Sequence, residues 1–384
     1  MDRSHPAPIP YSPTLDPPIP EVSIIIPARN EEASLGACLQ SLTEQTGVPF
    51  EIIVVDDAST DRTREIARSF SEVRVISPEP LPTDGTGKDR ARKMWTGKNN
   101  AVVAGAKAAR APWLLFTDAD TVHLPGSLAR ALEEAKQERA DLLSYSPGQV
   151  VVTFAERAVM PVIFAELAAQ YPPHKVRQQD SATVAANGQY ILVRRTPYDA
   201  VGGHAAVATE ILEDVALARL FRNAGLRVYF RYGADAVRTR MYRNWAQLRE
   251  GWTKNLALLF PQPEFLAFKI VFWWFAAWEA LAFAVSGAAS RHFAWIAFAA
   301  FWLLLYRRIR LAHFTTANNL IAIAFGLPMF AYLLLRSKKA HAHGQVSWKG
   351  RNYDVGAPSG SKPGETKASD LLSRIESQEL TTEN

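Results

Sequence analysis

Two apolar, β-branched runs in this chain are each followed at once by closely spaced carboxylates. Glu51–Val55 precedes Asp56–Asp57, and Trp113–Phe116 precedes the Asp-Ala-Asp sequence of Asp118–Asp120. Buried strands of parallel sheets have this apolar composition, and open α/β sheets bind ligands at the carboxyl ends of their strands. The sequence therefore predicts an α/β fold with carboxylates at the ligand-binding edge of the sheet.

The surrounding pattern supports a doubly wound, mostly parallel sheet. Strands are predicted at Val22–Pro27 and Val73–Ile76, a helix begins at Asn30, and residues 78–98 form a long loop. Further strands are predicted at Leu142–Val152, Gly188–Val193 and Arg227–Tyr232, and further helices at Asp61–Phe70, Asn99–Ala109, Phe154–Gln170 and Glu210–Ala224. Alternating strands and helices are typical of this architecture.

The carboxylates define a reaction class. Two carboxylates one residue apart can hold a divalent cation, to which a diphosphate adds further oxygens. A third carboxylate, Asp214, can take a proton from an attacking hydroxyl. A cation, a nucleotide diphosphate and a base together predict a sugar transferase.

Composition divides the 384 residues into four regions. Residues 1–20 form a proline-rich leader, predicted to be disordered and without the apolar core of a signal peptide. Residues 21–260 read as the α/β domain, residues 264–336 are strongly apolar, and residues 337–384 are a polar tail. The single cysteine, Cys38, is expected to be a buried helix residue and fits a reducing compartment.

The apolar region predicts membrane helices. Phe265–Val285 and Asn318–Leu335 are about long enough to cross a bilayer, whereas Phe293–Tyr306 is shorter and ambiguous. Three crossings would place Arg336–Lys339 opposite the catalytic domain, against the positive-inside rule, whereas an even number would satisfy it. The sequence leaves the number open. We expect a multi-pass protein of the cell membrane with a cytoplasmic catalytic domain.

Net charge is only +5, and basic residues cluster near the apolar segments, as in Arg307–Arg310. This pattern suits an anionic membrane surface better than a nucleic acid. No nucleic-acid motif is present, so nucleic acid is not an expected partner.

Four motifs in order resemble the signature of family-2 inverting glycosyltransferases with the GT-A (Rossmann-like) fold. They are Pro27–Glu32, Val55–Asp57, Asp118–Asp120 and Glu213–Asp214, and the resemblance covers residues 21–260. The downstream Gly251–Asn255 and the apolar block resemble more specifically the membrane glycosyltransferases of carotenoid and hopanoid pathways.

The resemblance assigns the donor side of the site. It implies that Pro27, Arg29, Glu31 and Asp57 bind the base and ribose of a nucleotide sugar, with capping of the next helix as the alternative for the Asp56–Asp57 pair. Lys98, at a helix start, would contact phosphate or donor sugar, or else be a solvated surface lysine.

The resemblance also implies a Mg²⁺ or Mn²⁺ cofactor. Asp120 would contact the metal directly, while Asp118 would meet the ribose or a metal-bound water. The alternatives are that the Asp-Ala-Asp sequence only forms a turn and that His123 is a satisfied loop histidine rather than an added ligand.

On the acceptor side, Asp214 matches the catalytic base, with a helix-dipole carboxylate as the alternative. Glu213 points elsewhere on the helix and should not share that role. His204 is either a substrate contact or a surface residue, and Trp252 lines the acceptor site or anchors the chain at the membrane interface.

One departure from the family pattern concerns the acceptor. Many processive and lipid-linked members carry Gln-x-x-Arg-Trp, whereas this chain has Leu248 and Gly251 before Trp252. We expect a membrane-anchored transferase that moves a sugar from a UDP-sugar to a lipid acceptor. The narrower resemblance favours an isoprenoid acceptor. The alternatives are a polyprenyl-phosphate or polysaccharide glycosyltransferase and a catalytically silent, nucleotide-sugar-binding membrane protein.

Overall fold

The computed structural model describes residues 19–82, 95–286, 291–348 and 351–354. Nearly all of the predicted leader, most of the predicted 78–98 loop and the tail beyond residue 354 lie outside the described residues.

The strands are β1 (Val22–Ala28), β2 (Phe50–Asp56), β3 (Val73–Ile76), β4 (Trp113–Phe116), β5 (Thr121–His123), β6 (Leu142–Ser146), β7 (Gly148–Gln149), β8 (Ile191–Arg194), β9 (Val228–Tyr232), β10 (Val237–Thr239), β11 (Gln345–Trp348) and β12 (Arg351–Asp354). The helices are α1 (Leu35–Thr43), α2 (Thr63–Arg68), α3 (Gly97–Ala108), α4 (Ser127–Gln137), α5 (Phe154–Gln170), α6 (Pro173–Val176), α7 (Arg195–Ala200), α8 (Glu213–Asn223), α9 (Trp245–Leu259), α10 (Pro263–Val285), α11 (Arg291–Ile309), α12 (Thr316–Ile321) and α13 (Leu327–Ala342).

A seven-stranded sheet forms the centre, in the order β3-β2-β1-β4-β8-β6-β9. Only β8 runs antiparallel to its neighbours, so the predicted α/β fold with a mostly parallel sheet is confirmed. Ala28 pairs with Asp56, and Ile25 pairs with Phe116. The strands that precede the two carboxylate motifs therefore end at the same edge of the sheet, on either side of β1.

Two apolar cores cover the two faces of this sheet. On one face α3 approaches β1 closely at Gly105, where an added Cβ would lie 2.4 Å from Ile25 Cγ2. This close packing fixes the first turn of α3, and hence Lys98, relative to the strand ends.

Two sequence predictions about elements are wrong in detail. The helix predicted to begin at Asn30 begins at Leu35, because Asn30 adopts a left-handed backbone (φ 53°) and its Oδ1 accepts a hydrogen bond from Thr60 N at 2.9 Å. The strand predicted over Leu142–Val152 stops at Ser146. Pro147 follows, and a proline has no N–H to continue the ladder.

After that break, β7 leaves the central sheet. It joins β10 and β5 in a separate three-stranded sheet, in which β10 pairs antiparallel with β5 and parallel with β7. The sequence patterns did not predict this small sheet. It places the segment after Thr239 beside Asp120, whose carbonyl accepts a hydrogen bond from Thr239 Oγ1 at 3.1 Å.

A third apolar core joins α5 and α9 to the C-terminal helices α10–α13. The buried face of α5 packs in this core. The closest approach is at Gly326, where an added Cβ would lie 1.9 Å from the carbonyl oxygen of Ala158 in α5.

Among the described residues, two helical stretches are long and apolar enough to cross a membrane, judged by length and composition. They are Pro263–Val285 and Thr316–Ala342; the latter comprises α12, a π-helical turn and α13. The shorter predicted segment, Phe293–Tyr306, lies within α11, which does not meet these criteria. In the apolar centre of Thr316–Ala342, half of the residues are buried against the rest of the protein.

Candidate functional site

A cavity of about 670 Å³ opens at the carboxyl ends of the parallel strands. All of the sequence-predicted site residues except His204 line it, namely Pro27, Arg29, Glu31, Asp57, Lys98, Asp118, Asp120, Glu213, Asp214 and Trp252. They come from the ends of β1, β2 and β4, the first turns of α3 and α8, and the middle of α9. Residues more than 200 positions apart in the sequence therefore share one cavity.

Arg29 and Asp57 form one end of the cavity. Arg29 Nη1 donates a hydrogen bond of 2.8 Å to the backbone carbonyl of Asp57 and lies 3.8 Å from its Oδ2. Both side chains are partly buried, at 28% and 13% exposure. This pair presents both a cation and hydrogen-bond acceptors to a ligand.

The neighbouring Asp56 has a structural role instead. Its side chain is buried, accepts a hydrogen bond from Ser59 N at 3.2 Å and pairs with Arg64 at 3.1 Å. The alternative that these aspartates cap the next helix thus fits Asp56, which lies in the turn before α2. Asp57 instead faces the cavity.

Lys98 ties the centre of the site together. Its Nζ lies 3.0 Å from Asp118 Oδ1 and 2.8 Å from Glu213 Oε1. Burial lowers the pKa of the ammonium, but the charges of Asp118 and Glu213 outweigh burial and raise that pKa well above its ordinary value. Lys98 is therefore a fixed cation in the cavity wall, not a solvated surface lysine.

Asp214 stands beside this pair in the first turn of α8. Its Oδ2 accepts a hydrogen bond from Gly188 N at 2.9 Å, and its Oδ1 accepts one from Val215 N at 2.8 Å. Burial, together with the charge of Glu213, raises the pKa of Asp214 from 3.8 to about 6. A partly buried carboxylate with a raised pKa in a cavity is suited to accepting a proton near neutral pH.

Glu213 differs from its neighbour. Burial alone would raise its pKa. The positive charges of Lys98 and Lys254 have the larger, opposite effect, so the pKa of Glu213 lies below its ordinary value. Glu213 stays ionised, bound to Lys98. This geometry agrees with the expectation that Glu213 and Asp214 have different roles. Glu213 was expected on the acceptor side, but it contacts Lys98 at the centre of the site.

The carboxylates present fit a divalent cation shared with a diphosphate. Asp118 and Asp120 both face the cavity. Among the residues that the structure describes, no group of three or more His, Cys, Asp or Glu could hold a metal by itself. Mg²⁺ is usually bound by one or two carboxylates together with substrate phosphates, so this donor set suits such an ion.

His123 belongs to the interior. Burial lowers its pKa to about 3, and its Nε2 lies 3.2 Å from the hydroxyls of both Thr117 and Thr121. It does not line the cavity. The structure therefore favours an interior packing histidine over an added metal ligand.

His204 is likewise buried and lies outside the cavity wall. Its Nδ1 is 3.0 Å from the Tyr198 hydroxyl, and its ring packs edge-on against Phe116 with centroids 4.6 Å apart. Burial lowers its pKa to about 4. The structure places His204 behind Glu213 and Lys98, neither on the surface nor on the acceptor side.

Sequence reasoning missed two residues that shape the site. Lys254 lines the cavity near Glu213 and Asp214, and burial lowers its pKa although Glu213 opposes that shift. Lys254 follows Gly251 by three residues and therefore lies on the same face of the helix, and this spacing could have identified it. Gly188 donates to Asp214, and a Cβ there would lie 3.1 Å from Lys98 Nζ.

Part of the cavity wall is apolar and comes mainly from α5 and α9, although α9 also contributes polar residues such as Lys254. The main apolar residues are Phe164, Leu167, Ala168, Tyr171, Trp252 and Leu259. Trp252 is 3% exposed, and its Nε1 lies 3.4 Å from Met160 Sδ. Trp252 therefore packs inside the protein at the edge of the cavity, which does not suit an anchor at the membrane interface.

The structure explains the departure from Gln-x-x-Arg-Trp. Leu248 is fully buried, and the phenol ring of Tyr242 covers Gly251. An added Cβ at Gly251 would lie 2.4 Å from Tyr242 Oη. No arginine fits at this position while Tyr242 keeps its place.

Comparison with known proteins adds to this geometry. Residues 23–202 match the family described as "Glycosyl transferase family 2". The 4,4'-diaponeurosporenoate glycosyltransferase of Staphylococcus aureus (strain MRSA252) is 29% identical over 354 residues, which cover 87% of this chain and 88% of the relative. The protein of that name from strain USA300 is also 29% identical, over 352 residues.

Two solved structures also align with this chain. The mannosyltransferase PcManGT of Pyrobaculum calidifontis, in complex with GDP-Man and Mn²⁺, has a TM-score of 0.42 and 17% identity over 85% of this chain and 88% of that one. S. aureus TarS has a TM-score of 0.41 and 17% identity over 87% of this chain and 60% of that one. At this level of similarity neither assigns a substrate here. This chain thus carries a glycosyl transferase family 2 domain in residues 23–202 and is a glycosyltransferase.

Proposed function

We propose that this glycosyltransferase moves a sugar, with inversion, from a UDP-sugar to a membrane lipid, with an isoprenoid as the favoured acceptor. The observation that carries the proposal is the mixed lining of the cavity. Arg29, Asp57 and the Asp118–Asp120 motif line the same cavity as apolar residues of α5 and α9, and Asp214 lines it too. The similarity to 4,4'-diaponeurosporenoate glycosyltransferase supports an apolar acceptor of this kind.

The nucleotide would bind at the charged residues of the cavity. Arg29 and Asp57 would contact the base and ribose, together with Pro27 and Glu31, which line the same end of the cavity. Lys98 and Lys254 would face the diphosphate with positive charge. A divalent cation at Asp120, beside Asp118, would neutralise charge on the leaving diphosphate.

Asp214 would act on the acceptor. As the acceptor oxygen forms a bond to the anomeric carbon, its proton passes to a carboxylate oxygen of Asp214, and the bond from that carbon to the diphosphate breaks. The nucleoside diphosphate leaves with the bonding electrons. Attack from the face opposite the leaving group inverts the configuration. The hydrogen bonds from Gly188 and Val215 hold the carboxylate in place for this transfer.

The acceptor would enter along the apolar wall. Tyr171 closes part of that wall through a 2.7 Å hydrogen bond from its hydroxyl to the Leu259 carbonyl, linking α5 to α9. Because α5 and α9 share a core with the apolar C-terminal helices, this wall is continuous with the region expected at the membrane. An apolar chain would therefore approach Asp214 along this wall.

The test is incubation of purified protein in detergent with radiolabelled UDP-sugars and total membrane lipid. We expect label in a lipid product that Asp214→Asn does not form. Asp180→Asn serves as the matched control, because Asp180 is exposed and outside the cavity. Label only in a polyprenyl phosphate or a polymer would favour the alternative transferases, and no transfer from any donor would contradict the proposal.

A further inference from the structure

The helices α10 and α11 form a hairpin with an exposed apolar surface. More than half of the large apolar side chains that are exposed among the described residues lie on these two helices. They are Phe265, Phe268, Val271, Phe272, Trp273, Phe275, Phe283, Val285, Phe293, Trp295, Ile296, Leu303 and Leu304, and we call them the hairpin surface. Exposure of so many large apolar side chains on two neighbouring helices is unusual for a soluble monomer and marks an interaction site.

Both ends of the hairpin are tied to the catalytic unit. At the start of α10, Glu264 forms an ion pair with Lys338 near the end of α13. At the end of α11, Arg308 forms two hydrogen bonds, of 3.0 and 2.8 Å, with Glu166 in α5. The chain therefore leaves the catalytic unit along α10 and returns to it along α11.

The stretch Thr316–Ala342 also begins and ends against the catalytic unit. Before its start, Phe314 packs on Phe164 of α5, with ring centroids 6.3 Å apart. Near its end, Ser337 Oγ donates to the Thr253 carbonyl at 2.7 Å and accepts from Ala257 N at 2.9 Å, both in α9. Both ends of this stretch therefore contact helices that line the cavity.

We infer that the hairpin surface contacts the hydrocarbon of a lipid bilayer and that the chain after α13 lies on the same side as the catalytic domain. This inference rests on the membrane location in the proposed function. It gives an even number of crossings, the parity that the positive-inside rule requires. Thr316–Ala342, although long and apolar, serves as a packing helix.

Length and charge favour a bilayer over a second copy of the chain. The 23 residues of α10 span about 34 Å at 1.5 Å per residue, comparable with the roughly 30 Å of bilayer hydrocarbon. Exposed cationic side chains lie at both returning ends. They are Arg307 in the last turn of α11, Arg310 just after it, and Arg336 and Lys339 near the end of α13. Anionic headgroups on the catalytic side complement these charges.

Sidedness can be tested with single introduced cysteines, because the native Cys38 is buried and its thiol pKa is raised to about 12. Glu72→Cys reports the catalytic domain and His343→Cys the end of α13, and both positions are exposed. A membrane-impermeant maleimide is applied to right-side-out and inverted vesicles. We expect both variants to label in the same vesicle type, and labelling in opposite types would overturn the inference.

The surface itself can be tested by flotation with vesicles of phosphatidylglycerol and phosphatidylcholine. In the full chain, Phe268→Asp with Phe272→Asp should lower the vesicle-bound fraction roughly tenfold or more, because charged side chains are costly in hydrocarbon. Ile19→Asp, at an exposed apolar residue far from the hairpin in the sequence, should leave it unchanged.

Unchanged flotation of the double variant, with loss of a dimer in detergent, would instead assign the surface to a second copy and overturn the inference. Circular dichroism of each variant checks that it is folded. Neither flotation nor labelling measures sugar transfer, so failure of the proposed reaction would appear separately, in the lipid-labelling assay.

Discussion

Two adjacent carboxylates in the first turn of α8 have opposite electrostatic environments. Glu213 is held ionised by Lys98 at 2.8 Å, whereas burial and the charge of Glu213 raise the pKa of Asp214 to about 6. A pair of titratable groups with pKa values pushed apart is typical of a site with separate charge-stabilising and proton-accepting roles. Glu213 and Asp214 are therefore suited to different roles.

Replacement of the proposed base separates catalysis from binding. Asp214→Asn keeps the shape of the side chain and loses its basicity. We expect kcat to fall by about 10²-fold or more, with nucleotide affinity nearly unchanged. Steady-state kinetics and calorimetric titration with UDP measure the two quantities, and near-normal turnover would remove Asp214 from this role.

The pH dependence follows from the same carboxylate. Asp214 must be ionised to accept a proton, and its pKa is raised from 3.8 to about 6. We therefore expect kcat to fall about tenfold per pH unit below pH 6, whereas an unshifted aspartate would remain active to about pH 4. A pH–rate profile at saturating substrates tests this, with circular dichroism to confirm that the fold persists. Constant kcat between pH 6.5 and 4.5 would contradict it.

The Asp118–Asp120 motif carries a prediction about metal. Chelation with EDTA should abolish transfer, and added Mg²⁺ or Mn²⁺ should restore it. Asp120→Asn should weaken retention of Mn²⁺, measured by electron paramagnetic resonance in the presence of UDP, because it removes a charged ligand. Full activity in chelator would refute the requirement.

At the scale of elements, the contact between α5 and the C-terminal helices depends on a single glycine. A Cβ at Gly326 would lie 1.9 Å from the Ala158 carbonyl oxygen, which is backbone and cannot rotate away. The apolar wall of the cavity and the hairpin both rest on this packing, since α5 contributes Phe164 to the wall and Glu166 to the pair with Arg308. Helix packing thus links the site to the apolar region.

Gly326→Ala should therefore lower the free energy of unfolding by about 1–3 kcal/mol or more, the usual cost of overpacking. The matched control is Gly36→Ala in α1, where an added Cβ would meet Ile66 Cγ2 at an ordinary 3.7 Å. It should be neutral or slightly stabilising, as expected of alanine in a helix. Thermal unfolding in detergent compares the two, and equal midpoints would show that α5 and the π-helical turn are not tightly packed.

At the scale of the whole molecule, the cavity and the apolar helices share one helical core. In the proposed function, a lipid acceptor held in a bilayer would meet the apolar part of the cavity wall close to these helices, and the nucleotide would bind at the ends of β1 and β2.

We expect the full-length protein to remain with membranes after washing with high salt and at alkaline pH, and to require detergent for release. Apolar contact resists both washes, whereas purely electrostatic attachment is lost in salt. Immunoblots of the pellet and supernatant fractions measure this, with a known peripheral protein as the control. Full-length protein in the soluble fraction after mild lysis would refute integral attachment.

The sequence by itself determined the elements around the nucleotide edge. β3, β4 and α5 have the predicted limits, because their apolar runs and turn residues are local signals. The carboxylates after β2 and β4 meet at one edge because parallel strands end together. Non-local packing decided the rest: it reversed β8, buried His204 against Tyr198, covered Gly251 with Tyr242, and joined Lys98 to Glu213, 115 positions further along the chain. Periodicity describes which face of an element is apolar but not which distant element covers it, and only the tertiary structure supplies those partners.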